Sequence, residues 1–379
     1  MCGFVGFVDK EKNKKKIIKD MADMIKHRGP DSDGYFCDEN VALGFRRLSI
    51  IDLNNGSQPI YNEDNTKVIV FNGEIYNYEE LKTELLKCGH VFKTETDTEV
   101  LLHGYEEYRE ELLPKLRGMF AFVIYDTNSK ELFAARDFYG IKPFYYYKND
   151  DELLFSSEIK SFLAHPNFKK ELNLEMLESY LTFQYSVGED TFFKNVYKLR
   201  PGHYLKYKDG SLEIKKYYEL KFDEDNTKTL EEWEKGIREH LDDSIKAHKI
   251  SDVEVGSFLS SGVDSSLIAT LSNVDKTFTV GFENKQYSEI DYAKDLSQKI
   301  NTKNINKTIT KKEYFDKISD IMYYMDEPLA DPSCIALYFV ANIASQNVKV
   351  ALSGEGADEI FGGYNIYAEP YTWAWYYKI

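Results

Sequence analysis

"VEVGSFLSSGVDSSLIATLS", Val253–Ser272, sets an apolar strand, a loop of small polar residues and a helical pattern end to end. The order matters more than the composition. A loop that leaves a strand and opens a helix presents free backbone N–H groups and a partial positive charge to an anion. In "FLSSGVDSS", Phe258–Ser266, Gly262 permits close backbone approach, and Ser260, Ser261, Ser265 and Ser266 add hydroxyl donors. Asp264 would be repelled by a bare phosphate, so its presence points to a bound Mg²⁺. The loop has no G-K-[ST] and is therefore not a Walker phosphate loop. Serine and aspartate also cap helices routinely, but seven small or polar residues in this order favour binding.

The surrounding sequence keeps the same rhythm. A polar stretch, "KFDEDNTK" at 221–228, is the best linker, and a long amphipathic helix follows at Leu230–His248. Then come strand 253–259, helix 265–272, strand 277–282, helix 288–300, two further helices and strand 348–353. Such alternation predicts a parallel sheet with helices on both faces, which binds ligands at the carboxyl ends of its strands. A second loop stands at such an end: "LSGEGADEIFGGY", Leu352–Tyr364. Gly354 and Gly356 let backbone approach a ligand, and Glu355, Asp358 and Glu359 gather carboxylates beside it, as a metal or acid–base chemistry would require.

The first 220 residues read differently. Short β segments at 41–45, 67–71, 119–126, 131–136, 142–147 and 152–156 are interrupted by helical patterns at 79–88 and 98–108. This predicts stacked antiparallel sheets flanked by helices. "MCGFVGFVDK" opens the chain with Cys2 ahead of an apolar strand, which alone would pass for chance. "HRGPDSDG", His27–Gly34, is a Gly/Pro loop whose D-x-D-G lacks the rest of a calcium-binding EF-hand. Arg46 and Arg47 follow a strand, where an arginine fork could grip a carboxylate, although a solvated pair is the default. Asn72 and Gly73 in "FNGEIYN" could form an oxyanion hole or a plain turn. Asp97 in "TETDTEV" reads as a helix N-cap.

Bulk composition narrows the function. The 379 residues suffice for two domains. A net charge of −16 without a basic stripe argues against a nucleic-acid surface. The lysine run at 10–16 reads as a solvated loop, and no stretch approaches a membrane span or a signal peptide, so a cytoplasmic protein is expected. Four scattered cysteines without Cys-x-x-Cys spacing speak against both a disulfide framework and a zinc site.

Taken as one set, Cys2-Gly3, "HRGPDSDG", "RLSI", "NGEIYN" and "TDTEV" resemble the N-terminal-nucleophile glutaminase domain of class II glutamine amidotransferases. With "SSGVDSS" and "SGEGADEIFGGY" the whole resembles the glutamine-hydrolysing asparagine synthetases of the bacterial B type. The resemblance implies a glutaminase domain over 1–220 and an ATP-binding domain over 221–379. It makes Cys2, after loss of Met1, the nucleophile, with its own α-amine of pKa about 7.7–8.0 as base. Asn72 and Gly73 would hold the oxyanion. Arg47, Glu74 and Asp97 would bind glutamine, with Ile50 and Ile51 lining the site. Leu259 and Val280 would contact adenosine, and Ser260, Ser261, Gly262, Val263, Asp264, Ser265 and Ser266 the pyrophosphate. Ser353 and Gly354 would contact ATP, Asp264 and Asp358 would hold Mg²⁺, and Glu355 would support formation of β-aspartyl-AMP. Ammonia from glutamine would pass through an internal tunnel to that intermediate, giving asparagine, glutamate, AMP and pyrophosphate. Glutamine, aspartate and ATP are then the small-molecule partners, with no nucleic acid and no membrane. A homodimer is compatible with this reading.

Two departures stand out. Ser261 replaces a second glycine of the family loop, and serine keeps the backbone N–H. The family's later R-x-P-F-L-D and lysine-bearing K-x-x-L-R-type segments do not occur before Ile379, so an incomplete synthetase domain is expected. Two rivals remain: a related amidotransferase amidating or cyclising a different carboxylate, and a glutamine-sensing scaffold with no need for Cys2.

Overall fold

The computed structural model describes residues 1–149 and 152–372. Its chain divides into two compact units, 1–226 with 322–331, and 227–321 with 332–379.

The first unit is built on two six-stranded antiparallel sheets. One has the order β10-β8-β9-β1-β3-β2, with β1 Gly3–Val8, β2 Ser32–Cys37, β3 Val41–Arg47, β8 Tyr145–Lys148, β9 Leu153–Ser156 and β10 Val196–Lys198. The other runs β12-β11-β7-β6-β5-β4, with β4 Ile60–Tyr61, β5 Lys67–Ile75, β6 Gly118–Asp126, β7 Glu131–Arg136, β11 His203–Lys208 and β12 Ser211–Lys216. Side chains alternate across each strand. Phe4, Leu43, Val68, Val70 and Val123 therefore meet between the sheets. Val5 and Phe7 turn outward onto Ile18 and Met21 of α1 (Lys14–Met24), and Ile69 and Phe71 onto Leu85 of α2 (Tyr78–Cys88) and Leu101 of α3 (Asp97–Tyr108). Because helices cover both outer faces, the strands read as nearly unbroken apolar runs. Each fully buried side chain of this size contributes about 1.5–3 kcal/mol.

Ten residues from the second half of the chain complete this unit. Asp326 accepts the Ile159 and Lys160 N–H groups at 2.6 and 3.2 Å and pairs with Lys160 Nζ at 2.8 Å. Glu327 pairs with Lys198 at 3.1 Å and accepts from Ser186 Oγ and the Phe192 N–H.

The second unit holds a four-stranded parallel sheet of order β15-β14-β13-β16, with β13 Val255–Phe258, β14 Lys276–Phe282, β15 Lys303–Ile309 and β16 Val350–Leu352. Leu259, Ala269 and Ala293 pack one face beneath α6 (Val263–Ser272) and α7 (Ile290–Lys299). Phe278, Val340, Ala344 and Val348 pack the other beneath α9 (Ser333–Ser345). Here α4 denotes Met176–Phe183, α5 Leu230–His248 and α8 Lys311–Met325.

Three expectations need correction. The lysine run is not wholly a solvated loop: Lys14 opens α1, is buried and pairs with Asp9 at 2.7 Å, which neutralises its charge. β15, "KNINKTI", escapes a hydrophobicity reading because it is a polar edge strand. β2 begins at Ser32, inside the stretch read as a Gly/Pro loop, because it pairs with β3.

Candidate active site

β1, β3 and β5 and the start of α3 deliver their ends to one cavity in the first unit. Cys2, Arg47, Leu48, Ile50, Ile51, Gly73, Glu74 and Asp97 all line it, and its volume is about 40 Å³. Cys2 stands at the start of β1, opposite the end of β3. The Leu48 N–H donates to Cys2 Sγ at 3.4 Å, while Sγ lies 3.5 Å from Leu48 O. Burial raises the thiol pKa, opposed by the Leu48 N–H and the neighbouring α-amine. Burial also lowers the Met1 α-amine to about 6, with Arg28 and Lys142 pushing the same way.

Asn72 on β5 is buried, and its Nδ2 has no hydrogen-bond partner among the described residues. An unsatisfied buried donor costs about 1–3 kcal/mol, so an acceptor delivered by a ligand would repay it. At Gly73 a Cβ would lie 2.2 Å from Met119 O and 2.6 Å from the Phe71 ring, so glycine is required there by close packing.

The cavity also encloses two carboxylates. Burial raises Asp97 to about 6, although it accepts the Ile75 N–H at 3.0 Å. Burial and the Asp97 charge hold Glu74 well above the usual carboxylate range. Asp97 is not the N-cap of α3; that role belongs to Thr96, whose side chain accepts from the Glu99 N–H. Arg46 and Arg47 are not a solvated pair, since both are buried. Arg46 donates to Ala22 O and pairs with Asp23. Arg47 donates through Nη2 to Ile51 O and Asp52 O at 3.1 and 2.7 Å, so it shapes the loop carrying Ile50 and Ile51 as well as facing the cavity.

Two cations here were not singled out from sequence. Arg28 donates to Cys2 O at 2.9 Å and pairs with Glu158 at 2.9 Å. Lys142 is buried, and its Nζ meets only Met1 Sδ, at 3.2 Å, among the described residues. Its loop is tied on both sides. Asp137 accepts the Phe120, Tyr139, Ile141 and Lys142 N–H groups, and Arg136 donates to Gly140 O, Lys142 O and Leu199 O. The signal available was "RDFYGIKP", an Arg-Asp pair before a glycine of φ +69°.

In the second unit the two loops leave neighbouring strands, β13 and β16, where the strand order reverses. That is the crevice at which open parallel sheets bind ligands. The loops touch: a Cβ on Gly354 would lie 2.9 Å from both Asp264 Cβ and Ser265 N. Ser260 N–H donates to Ser265 Oγ at 3.1 Å, and Gly262 N–H to Ser260 Oγ at 3.1 Å, which curls the loop ahead of α6. Ser261 donates to Glu289 at 2.6 Å, and Ser266 to Gly262 O at 2.7 Å. Leu259 is buried in the core, so only its backbone faces the loop, while Val280 is half-buried on β14. Val263 and Glu355 are exposed; Ser353, Gly354, Asp264 and Asp358 are half-buried. Neither Asp264 nor Asp358 has a cationic partner among the described residues. Two half-buried carboxylates at touching loops, with only oxygen donors, fit a Mg²⁺ ion.

Comparison with known proteins gives each half of the chain a family. Residues 1–218 match the family described as glutamine amidotransferase domain, and residues 236–378 that described as asparagine synthase. Asparagine synthetase [glutamine-hydrolyzing] 1 of Bacillus subtilis (strain 168) is 48% identical over 380 residues, covering 98% of this chain and 60% of that protein. Asparagine synthetase [glutamine-hydrolyzing] 3 of the same organism is 34% identical over 391 residues, covering 96% and 63%. The Zea mays asparagine synthetase [glutamine-hydrolyzing] is 34% identical over 385 residues, covering 96% and 60%. The chain thus spans 60–63% of the length of these curated relatives. No helix among the described residues is long and apolar enough to cross a membrane. With both family matches in order along it, the chain belongs to the glutamine-hydrolysing asparagine synthetases, a glutamine amidotransferase domain followed by an asparagine synthase domain.

Proposed function

We propose that residues 1–220 hydrolyse glutamine and residues 221–379 bind ATP, for the ATP-dependent conversion of aspartate and glutamine to asparagine. The observation that carries the reading is the cavity that gathers Cys2, Arg47, Gly73, Glu74 and Asp97; Asn72, between the lining residues Phe71 and Gly73 on β5, does not itself line it, but its buried amide has no partner among the described residues. With Met1 removed, the Cys2 amine becomes the base. Burial lowers the present Met1 α-amine to about 6; a Cys2 amine enclosed by the same walls would be kept neutral at physiological pH by the same cause. The thiolate then attacks the glutamine carboxamide, and the amine's proton leaves with ammonia. The oxyanion takes up the Asn72 amide and the Gly73 N–H, and water releases glutamate from the thioester. Glu74 and Asp97 face the substrate ammonium, and Arg47 its carboxylate.

In the second domain, the 260–266 loop faces the pyrophosphate with the N–H groups that it does not spend on its own turn, since those of Ser260, Gly262 and Ser266 are bonded within the loop, and Ser353 and Gly354 close the opposite side. Glu355 supports the activation of aspartate. Asp264 and Asp358 would hold Mg²⁺, which offsets phosphate charge when bound.

Replacing Cys2 with alanine should abolish glutamate release while leaving the thermal unfolding transition in place; sustained release from the pure variant would overturn the glutaminase reading. Asp264→Asn should weaken Mg²⁺-dependent ATP binding, whereas equal ATP binding with and without Mg²⁺ in both proteins would make the loop a structural turn. Aspartate-dependent pyrophosphate formation separates asparagine synthesis from use of another carboxylate acceptor.

A further inference from the structure

Outside the cavity, three chain segments of the first unit bring two histidines and two glutamates to one point. Glu63 follows β4, His90 follows the left-handed Gly89 that ends α2, and His103 and Glu106 stand one turn apart on α3. One ligand atom from each lies within 4.8 Å of all the others. We propose that Glu63, His90, His103 and Glu106 form a structural zinc site.

The distances suit that ion. His103 Nδ1 is 3.0 Å from Glu106 Oε2 and 3.3 Å from the Glu63 carboxylate, and His90 Nδ1 is 3.0 Å from the same carboxylate. In a tetrahedron with bonds of about 2.0–2.1 Å, ligand atoms stand about 3.3 Å apart. The donors are two imidazoles and two carboxylates, a set that zinc accepts.

The surroundings hold these groups in a metal-binding orientation. His103 is fully buried, and its Nε2 has no hydrogen-bond partner but lies 3.6 Å from Glu99 Oε1. Glu99 is fixed by the N–H groups of Lys93 and Thr94 and by Thr94 Oγ1. A carboxylate behind the far nitrogen of a ligating histidine is the usual outer-shell arrangement. Glu106 Oε1 accepts from Asn62 Nδ2 at 2.6 Å, leaving Oε2 to the cluster.

A proton is the rival occupant. Burial lowers the His103 pKa, but Glu106, Glu99 and Glu63 outweigh it and raise it to about 9. Yet the rings of His90 and His103 are 4.8 Å apart and face one carboxylate. Two imidazolium ions so placed would repel, while one divalent cation satisfies both rings and both carboxylates. Four protein ligands leave no open position, so the ion would staple the β4–β5 turn and the α2 terminus to α3, whose first residue is Asp97.

The test uses the whole chain, stripped with chelator and desalted, then titrated calorimetrically with Zn²⁺. We expect one equivalent bound, retained in Cys2→Ala, and a Zn²⁺-dependent rise in the unfolding temperature. His90→Ala and Glu106→Gln, chosen because neither side chain is fully buried, should each weaken that equivalent at least about 100-fold and abolish the temperature rise. Zinc-edge absorption should show a nitrogen/oxygen shell with two imidazoles and no sulfur. Absence of binding to the wild-type chain, equal binding by both variants, or loss of the equivalent in Cys2→Ala would each overturn the proposal.

Discussion

Asp97→Asn should make the protein more stable and a poorer glutaminase. The Asp97 carboxyl is buried, and its pKa rises from 3.8 to about 6 on folding. A folded-state pKa above the unfolded one means that the ionised carboxylate is disfavoured in the fold. That penalty is absent below pH 3.8, grows as pH rises to about 6 and is constant above it. The shift corresponds to about 3 kcal/mol. Asparagine removes the charge at constant shape, but its single oxygen replaces two that accept from Ile75 and Thr98. Losing one such bond costs about 1 kcal/mol, so the net gain should be about 2 kcal/mol at pH 8. The urea midpoint measured at pH 8 and at pH 4 decides the matter. The gain should be present at pH 8 and gone, or reversed, at pH 4. Meanwhile the KM for glutamine should rise, because one of two carboxylates facing its ammonium is lost. A variant less stable than wild type at pH 8, or one equally stabilised at both pH values, would refute the reasoning.

The remaining expectations concern the same cavity. Gly73→Ala pushes a methyl group against Met119 O and the Phe71 ring, and should cost about 1–3 kcal/mol of stability; an unchanged denaturation curve together with unchanged kcat/KM would show that β5 and β6 yield more easily than their spacing implies. Lys142→Met removes a buried cation that disfavours a protonated amine beside it. In the chain that still carries Met1, that amine should titrate at higher pH than in the wild type, and an unmoved titration would assign Lys142 to packing alone.

Much of this was legible because it was local. The strand–loop–helix order around Gly262 needed only local pattern, since the residues of β13, Gly262 and α6 lie side by side in the chain. Leu230–His248 was bounded correctly because Thr229 and Glu232 form a capping box ahead of an amphipathic run. Cys2, Arg47, Gly73, Glu74 and Asp97 came together through their motifs rather than through any spacing rule. What sequence hid was set by distant partners. Lys142 is a lysine among 48 lysines and arginines until the fold buries it against Met1. Asp97 resembles a cap until the β5 backbone claims its carboxylate. His90 and His103 have no common motif, and only the turn at Gly89 brings their rings together.

The ten residues at 322–331 give the first unit a property that its sheets alone would not. A chain made from its N-terminus exposes Lys198 without Glu327, and Lys160 without Asp326, until residue 331 has been synthesised. Between Asn226 and Met322 the ribosome must add 95 residues that belong to the other unit. At about 5–20 residues per second that interval lasts about 5–20 seconds. The first unit therefore matures late, closing its last ion pairs only after the 95 residues between have been made. A fragment ending at Asn226 would stay permanently in that unfinished state.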